Sequence, residues 1–481
     1  MMTIPGLRRR GFRNTISSTS APVVVAGVLF LVAIIFFAGP SVAALVVLIV
    51  IAMVVAWSRP LTCLLCALIL AQEIQTSNSF GPVTVLGNLL YYGSTGSIPY
   101  VFYVVIFLWI SSIVRDVIGG GAAKSEYVGS GTWASSSMWF VGLSMTMVTV
   151  ISMMAGASFL STLRFASLPF LTTLISFDIV RRNWTRESHS ASIAGAASLG
   201  LLAILGTVQT AASGNFVFYD TATAAIAGLA LMVALVMKGR LLTILLLAGT
   251  SGAVLILSAR RSVIVGLIVS LLILLFFGRA RFARRRIWAL VVVAMLAAAT
   301  VASSFLLRIS DGLDTIGGEA DDVSTLGHTN DIVLGLEYAI ARPLGWGPFS
   351  PQLPGLAASA SSVLYVHNEP LQLWLRYGLP AMIMAMIGLV LAAVPAFYRI
   401  SVPSAPDDSR QRIAAGVATG YPLLIVATMT APFFSTTLRW PVLFGVAIGL
   451  IHLRERDRRA SASLSPGGSG IAIISPVGST Q

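Results

Sequence analysis

The stretch HNEPLQLWLRYGLPAMIMAMIGLVLAAVPAF, residues 367–397, passes from a polar head into a run that carries no charge after Arg376. Its head is suited to start a helix: Asn368 can cap it and Pro370 fits its first turn. Glu369, Gln372 and Arg376 then share one face, at i, i+3 and i+7. The apolar body, Leu371 to Phe397, is long enough to cross a hydrocarbon core of roughly 30 Å. Gly378-Leu379-Pro380 predicts a bend near its start.

The rest of the chain repeats this pattern. Of its 481 residues 56% are hydrophobic and 10% charged, against about 25% charged in soluble domains. Apolar runs of about 17–25 residues recur from 21–38 to 436–452, among them 158–180, 191–211, 241–257, 263–277 and 287–306. These runs predict an all-α polytopic transmembrane helical bundle of about fourteen spans, with twelve to fourteen fitting the runs, and exclude a set of soluble domains. A net charge of +13 would suit nucleic acid, but its distribution does not. With the N-terminus inside and the sides alternating, 24 of the 31 Lys and Arg fall in inside segments, as the positive-inside rule requires. The even span count then leaves both termini cytoplasmic.

The arginines ahead of Ala21–Ala38 read as part of an uncleaved signal anchor. Cys63 and Cys66 lie in an apolar run and read as small core residues, neither a disulfide framework nor a zinc site. The chain thus divides into a cytoplasmic N-terminus (1–20), a first part of the bundle (21–306), an extracytoplasmic loop (307–366), a second part of the bundle (367–452) and a disordered cytoplasmic tail (453–481).

That loop, Arg308 to Val366, is polar and nearly sixty residues long. Loops of such length between short apolar spans usually carry function. It holds His328, Arg342 and the turn-rich Pro343-Leu344-Gly345-Trp346-Gly347, and it ends at His367. From Asp331 to Ile340 its apolar residues take helical spacing, with Thr329 or Asn330 as cap and Arg342-Pro343 as stop. This predicts a surface helix lying across the bundle mouth.

Seven arginines fall at or beyond outer ends, where the topology rule disfavours them: Arg164, Arg260, Arg261, Arg308, Arg342, Arg376 and Arg439. Either they anchor spans and pair with outside acids, or their planar forks bind phosphate or carboxylate oxygens. Arg260-Arg261, in the turn Leu257–Ser262 between two apolar runs, is the strongest case for an anionic partner.

Three patches resemble the O-antigen ligase and O-antigen polymerase superfamily. Leu257-Ser258-Ala259-Arg260-Arg261-Ser262 is similar to its Leu-Ser-x-Ser-Arg-Gly, with Arg261 matching the motif arginine. Pro343-Leu344-Gly345-Trp346-Gly347 is similar to its Pro-Leu-x-Gly-x-Gly. His367-Asn368, nine residues and Gly378 is similar to its His-Asn-x9-Gly. Arg260 and Ser262 replace the motif's Ser and Gly, and Gly327-His328 stands in the neighbourhood of the second loop arginine of relatives, leaving His328, Arg308 and Arg342 as candidates for that role.

The resemblance implies a C-type glycosyltransferase architecture that transfers a glycan from a polyprenyl diphosphate to a glycan or lipid acceptor at the bacterial cytoplasmic membrane. It implies no metal, no cofactor and no nucleotide sugar, and the chain has no Asp-x-Asp. His367 is the candidate base, Arg261 the candidate for stabilising the leaving diphosphate, with Arg260 beside it. Trp346 either stacks on a sugar or anchors its turn, and His367 could instead cap a helix. Arg308, His328, Arg342, Asn368, Gln372, Arg376 and Arg164 are candidate substrate-binding residues. A lipid-linked oligosaccharide flippase and a peptidoglycan-type polymerase are the competing readings. No sign of related halves, which a flippase would show, is visible in the sequence.

Overall fold

The computed structural model describes residues 53–71, 90, 94–95, 98–118, 132–213, 219–238, 241–258, 260–277, 285–288, 323–348, 350–356, 364–397 and 409–463. Residues 1–58 form one unit, of which 53–58 are described and helical; residues 59–481 form the other, to which every labelled element belongs. In chain order these are α1 (Pro60–Leu70), a two-residue ribbon of β1 (Ser94–Thr95) and β2 (Ile98–Pro99), α2 (Tyr100–Ile118) and α3 (Trp133–Met154). There follow α4 (Leu168–Ser213), α5 (Thr221–Val236), α6 (Leu241–Ser258), α7 (Arg261–Phe277), α8 (Val323–Ala341), α9 (Glu369–Leu391), α10 (Ser409–Thr428) and α11 (Arg439–Ser463).

The ribbon, pairing Ser94 with Pro99 and Thr95 with Ile98, is a small addition to the expected all-α fold. Among the described residues five helices, α2, α3, α4, α6 and α9, are long and apolar enough to cross a membrane, and α1, α5 and α7 are shorter apolar helices. The expected runs 21–38, 41–57 and 287–306 lie wholly or largely outside the described residues.

α5 is apolar on all sides because it is buried on all sides. Small residues let α10 approach it: a Cβ at Gly416 would sit 2.5 Å from the Val233 Cα, and one at Gly420 2.8 Å from Leu229. α7 joins the same core, with Gly266 against the Leu423 backbone and Ser270 Oγ donating to Gly420 O at 3.4 Å. These pairs fix an antiparallel register of both α5 and α7 against α10. Asp220 ahead of α5, Arg261 at the start of α7 and Thr428 at the end of α10 therefore share one end of the bundle. At the opposite end Arg286 donates to Ala234 O and Leu235 O, and Arg412 donates to Lys238 O. They satisfy carbonyls that the end of α5 leaves without helical partners.

Two runs expected as separate spans, 158–180 and 191–211, are joined. A short helix (Phe159–Thr162) and a π turn (Leu163–Ser167) lead into α4, which is helical from Leu168 to Ser213. Straight, such a helix would be roughly 69 Å long. Its two arms instead return to one end: Phe170 packs edge-on to Phe434 at 5.2 Å, while Gly195 lies against Ile69, whose carbonyl accepts from Arg439. The bend falls where the charges are. Arg182 bridges Asp178 (2.6 Å) and Asp116 (3.1 Å), Arg186 reaches Asp116 (2.8 Å) and Arg115 reaches Glu187 (2.9 Å). Each buried charge at the bend is offset by a partner.

α11 also corrects an expectation. It continues to Ser463 with Leu453 and Arg454 buried, so the tail is helical for ten residues past its expected start at 453, and 464–481 lie outside the described residues.

The α5–α10 contact gives a direct test. Gly416→Ala should lower the melting temperature of the purified protein in detergent, since the added methyl meets Val233 backbone. Gly252→Ala, with nothing within 4 Å of its Cβ, should leave it unchanged or slightly raised. Equal melting of the two variants would contradict the register.

Candidate active site

α9 is not continuous in its geometry. Gly378 has φ +86° and ψ 163°, which breaks the helix and leaves backbone groups without helical partners. The turn 343–347 supplies them: Leu379 N donates to Pro343 O at 2.8 Å, and Trp346 N donates to Leu375 O at 2.7 Å. The approach is close enough to exclude side chains. A Cβ at Gly345 (φ +87°) would lie 2.7 Å from Gly378 N, and one at Gly378 would lie 2.8 Å from Leu344 C and O. Two patches far apart in sequence are thus one interlock.

Trp346 belongs to that interlock. Its Nε1 donates to Tyr338 O at 3.0 Å, its ring meets Tyr338 edge-on at 5.9 Å, and the exposed Arg342 covers it at 4.6 Å. Trp346 therefore ties the turn to α8, the anchoring alternative of its two sequence readings. α8 itself begins at Val323, so Thr329 and Asn330 are exposed positions within it and not its cap.

The chain between the interlock and α9 is strapped along its length. Leu364 O accepts from Gln372 Nε2 (2.9 Å), Arg376 Nε (3.0 Å) and Arg376 Nη2 (2.5 Å), and Val366 N donates to Gln372 Oε1 (2.8 Å). The Gln352 amide pairs with both backbone groups of Tyr365, at 2.8 and 3.0 Å. The predicted stripe of Glu369, Gln372 and Arg376 does share one face, and that face is buried. Gln372 and Arg376 hold the chain that leads to His367. Asn368 caps α9 as expected, Oδ1 accepting from Leu371 N at 3.0 Å, and its Nδ2 donates to Met429 O at 2.8 Å. Glu369 Oε2 accepts from Phe434 N (2.7 Å) and Ser435 N (3.2 Å), the start of the short helix Phe433–Thr436.

His367 stands at the head of these straps. Its Nδ1 lies 2.5 Å from Asp331 Oδ2, and its backbone N donates to the same oxygen at 3.3 Å. Asp331 is 1% exposed, while the His367 side chain is 27% exposed. The Tyr365 ring stands at 90° to the imidazole, 5.0 Å away. Burial pushes the Tyr365 phenol up to about 12, helped by the charges of Asp331 and Glu369, so it stays protonated. Sequence reasoning took Asp331 for the first residue of a helix and missed it as a partner of His367. A signal was present: Asp331, Gly335 and Ala339 recur at i, i+4 and i+8, an acid on an otherwise small-residue face, and all three are buried.

The tandem arginines part company. Arg260 turns inward, Nε donating to Tyr219 O at 3.1 Å, and burial lowers its pKa against the opposing pull of Asp220. Arg439, fully buried, donates to Asp220 Oδ2 (2.5 Å), Leu68 O (3.0 Å) and Ile69 O (3.2 Å). Arg261, the first residue of α7, is exposed and has no side-chain hydrogen bond or ion pair among the described residues. It also stands in the first turn of α7, at the positive end of the helix dipole. Since Asn368 grips Met429, just past α10, Arg261 and His367 lie at the same end of the bundle.

Of the remaining candidates, Arg164 is half-buried in the π turn Leu163–Ser167. His328 lies in α8, with its side chain outside what is described, and Arg308 lies outside the described residues. Among the described residues no group of three His, Cys, Asp or Glu is placed to hold a metal.

Residues 242–386 match the family model described as O-antigen ligase. No curated protein matches the chain. The matched segment runs from α6 into α9 and takes in Arg261, Asp331, the interlock and His367. Over these residues the chain is similar to the O-antigen ligase family, and this likeness supports a place in surface polysaccharide biosynthesis.

Proposed function

We propose that this protein is a membrane glycosyltransferase that moves a glycan from a polyprenyl diphosphate to an acceptor hydroxyl on the outer face of the cytoplasmic membrane. The observation that carries the reading is the placing of His367, paired with a buried acid, at the same bundle end as the exposed Arg261. Both lie in the segment matching the O-antigen ligase family.

In the reaction the acceptor oxygen forms a bond to the anomeric carbon and gives its proton to His367. The bond from that carbon to the diphosphate oxygen breaks, and the polyprenyl diphosphate leaves with the electron pair. Negative charge grows on the leaving oxygens as the bond stretches. Arg261 meets it with a permanently charged fork, supported by the N–H groups of the first turn of α7. The distribution of Lys and Arg supports an extracytoplasmic position for this end, with 24 of 31 on the other side.

Transfer of glycan between lipids, measured with purified protein in detergent, separates an enzyme from a flippase. Arg261→Lys should transfer much more slowly than wild type while melting at the same temperature, because lysine keeps the charge but not the bidentate fork. A lysine variant with wild-type turnover would leave Arg261 as a surface anchor. His367→Gln should slow transfer by about 10²–10⁴-fold with donor binding little changed. Near-normal turnover would remove the base role.

Sidedness has its own test. Cysteines placed at Ser324 and Ser361 should react with a membrane-impermeant maleimide in intact spheroplasts. Labelling confined to lysed cells would put the site on the cytoplasmic face.

A further inference from the structure

We infer that Asp331 is the positioning residue for His367: its carboxylate holds the imidazole with the proton on Nδ1 and leaves Nε2 as the atom that takes the acceptor proton. The inference rests on the proposed role of His367 and adds which nitrogen acts and what fixes it.

The geometry carries it. Asp331 Oδ2 is 2.5 Å from His367 Nδ1 and 3.3 Å from His367 N, so one oxygen receives the ring and the backbone of the same residue. An ionised carboxylate has no proton to give, so the Nδ1 facing it must be the donor. In the neutral ring Nε2 is then the basic nitrogen. The exposures agree with the division of labour: the acid is closed off at 1% and the imidazole is 27% open. Tyr365 at right angles further limits ring rotation.

The mount is rigid. A Cβ on Gly335, one turn beyond Asp331, would meet Leu371 at 2.6 Å and Val366 at 3.4 Å, so α8 lies flat against the start of α9. Ala339, Leu364, Val366, Leu371 and Leu375 close a buried cluster beneath. Four straps, from Ser350, Gln352, Gln372 and Arg376, hold residues 364–366 against it. A residue needed only to cap or pack would not need its imidazole fixed from both the ring and the backbone side. As the proton arrives at Nε2, the ring becomes an imidazolium whose charge faces the carboxylate across the Nδ1 hydrogen bond.

The test is Asp331→Asn, with Asp331→Glu as the variant that keeps a carboxylate. The amide can present N–H to Nδ1 and so favour the other tautomer. Nitrogen-15 spectra of histidine-labelled protein read the tautomer without reference to activity, His367 being identified among the 4 histidines by its loss in His367→Gln. Expected are an unprotonated Nε2 in wild type, a gain of Nε2–H in Asp331→Asn, and a fall in turnover of about 10²-fold or more with donor KM little changed. Asp331→Glu should keep the wild-type tautomer and recover part of the turnover.

A wild-type His367 protonated on Nε2, or an Asp331→Asn variant with unaltered tautomer and turnover, would overturn the inference. Its failure is distinct from failure of the proposed function. An active His367→Gln beside an Asp331-dependent tautomer would sink the base role and leave the pairing standing. An Nε2-protonated ring beside an inactive His367→Gln would do the reverse.

Discussion

A helix that breaks inside an apolar bundle leaves donors and acceptors that lipid cannot satisfy. α9 breaks at Gly378, and the protein answers with its own chain: the turn 343–347 donates to Leu375 O and accepts from Leu379 N. The rest of the candidate site hangs on that answer. The turn fixes the end of α8 through Trp346 and Tyr338, α8 carries Asp331, and Asp331 meets His367 at the head of α9. Both Gly345 and Gly378 have positive φ and too little space for a Cβ, so the backbones themselves touch. A break that is normally a liability becomes the means of holding a loop at a defined height above the bundle.

The polar side chains at this end then sort by what they touch. Arg260, Arg376 and Arg439 are committed to carbonyls or to Asp220, and Gln372 and Asn368 to backbone groups. In the buried Arg439–Asp220 pair, removing one partner typically costs about 3–5 kcal/mol, because the other charge is left unmatched. These residues build the platform. Arg261 is different, being exposed at a helix start, and His367 is different in keeping part of its ring open above a closed acid. Pairing an open cation with an oriented imidazole is what a phosphate leaving group and an incoming hydroxyl require.

Much of this was legible in the sequence. The cap at Asn368, the bend at Gly378, the shared face of Glu369, Gln372 and Arg376, and the turn between α6 and α7 all follow from local rules on spacing and residue type. What sequence could not supply was the partner on the other side of each face. Spacing groups Gln372 with Arg376, but nothing local says that Leu364 O lies opposite them. Adjacent arginines look equivalent in a row, yet a helix start points Arg260 inward and Arg261 outward. α8 starts earlier than expected, at Val323, since Val323, Ser324, Thr325, Gly327 and His328 are weak helix formers and give local rules little reason to extend the helix that far. The two arms of α4 read as separate spans because the charges between them look like a connecting segment, when those charges are neutralised by one another and by Arg115 and Asp116 of α2.

The central claim is that one end of this bundle binds a lipid diphosphate at Arg261 and presents its reacting carbon to His367. The most direct measurement is a structure of the protein in a lipid nanodisc with polyprenyl diphosphate bound. The account predicts the diphosphate within hydrogen-bonding reach of Arg261 and the first turn of α7, on the side that His367 faces. A diphosphate held instead at the opposite end, among Arg115, Arg182 and Arg186, would contradict it.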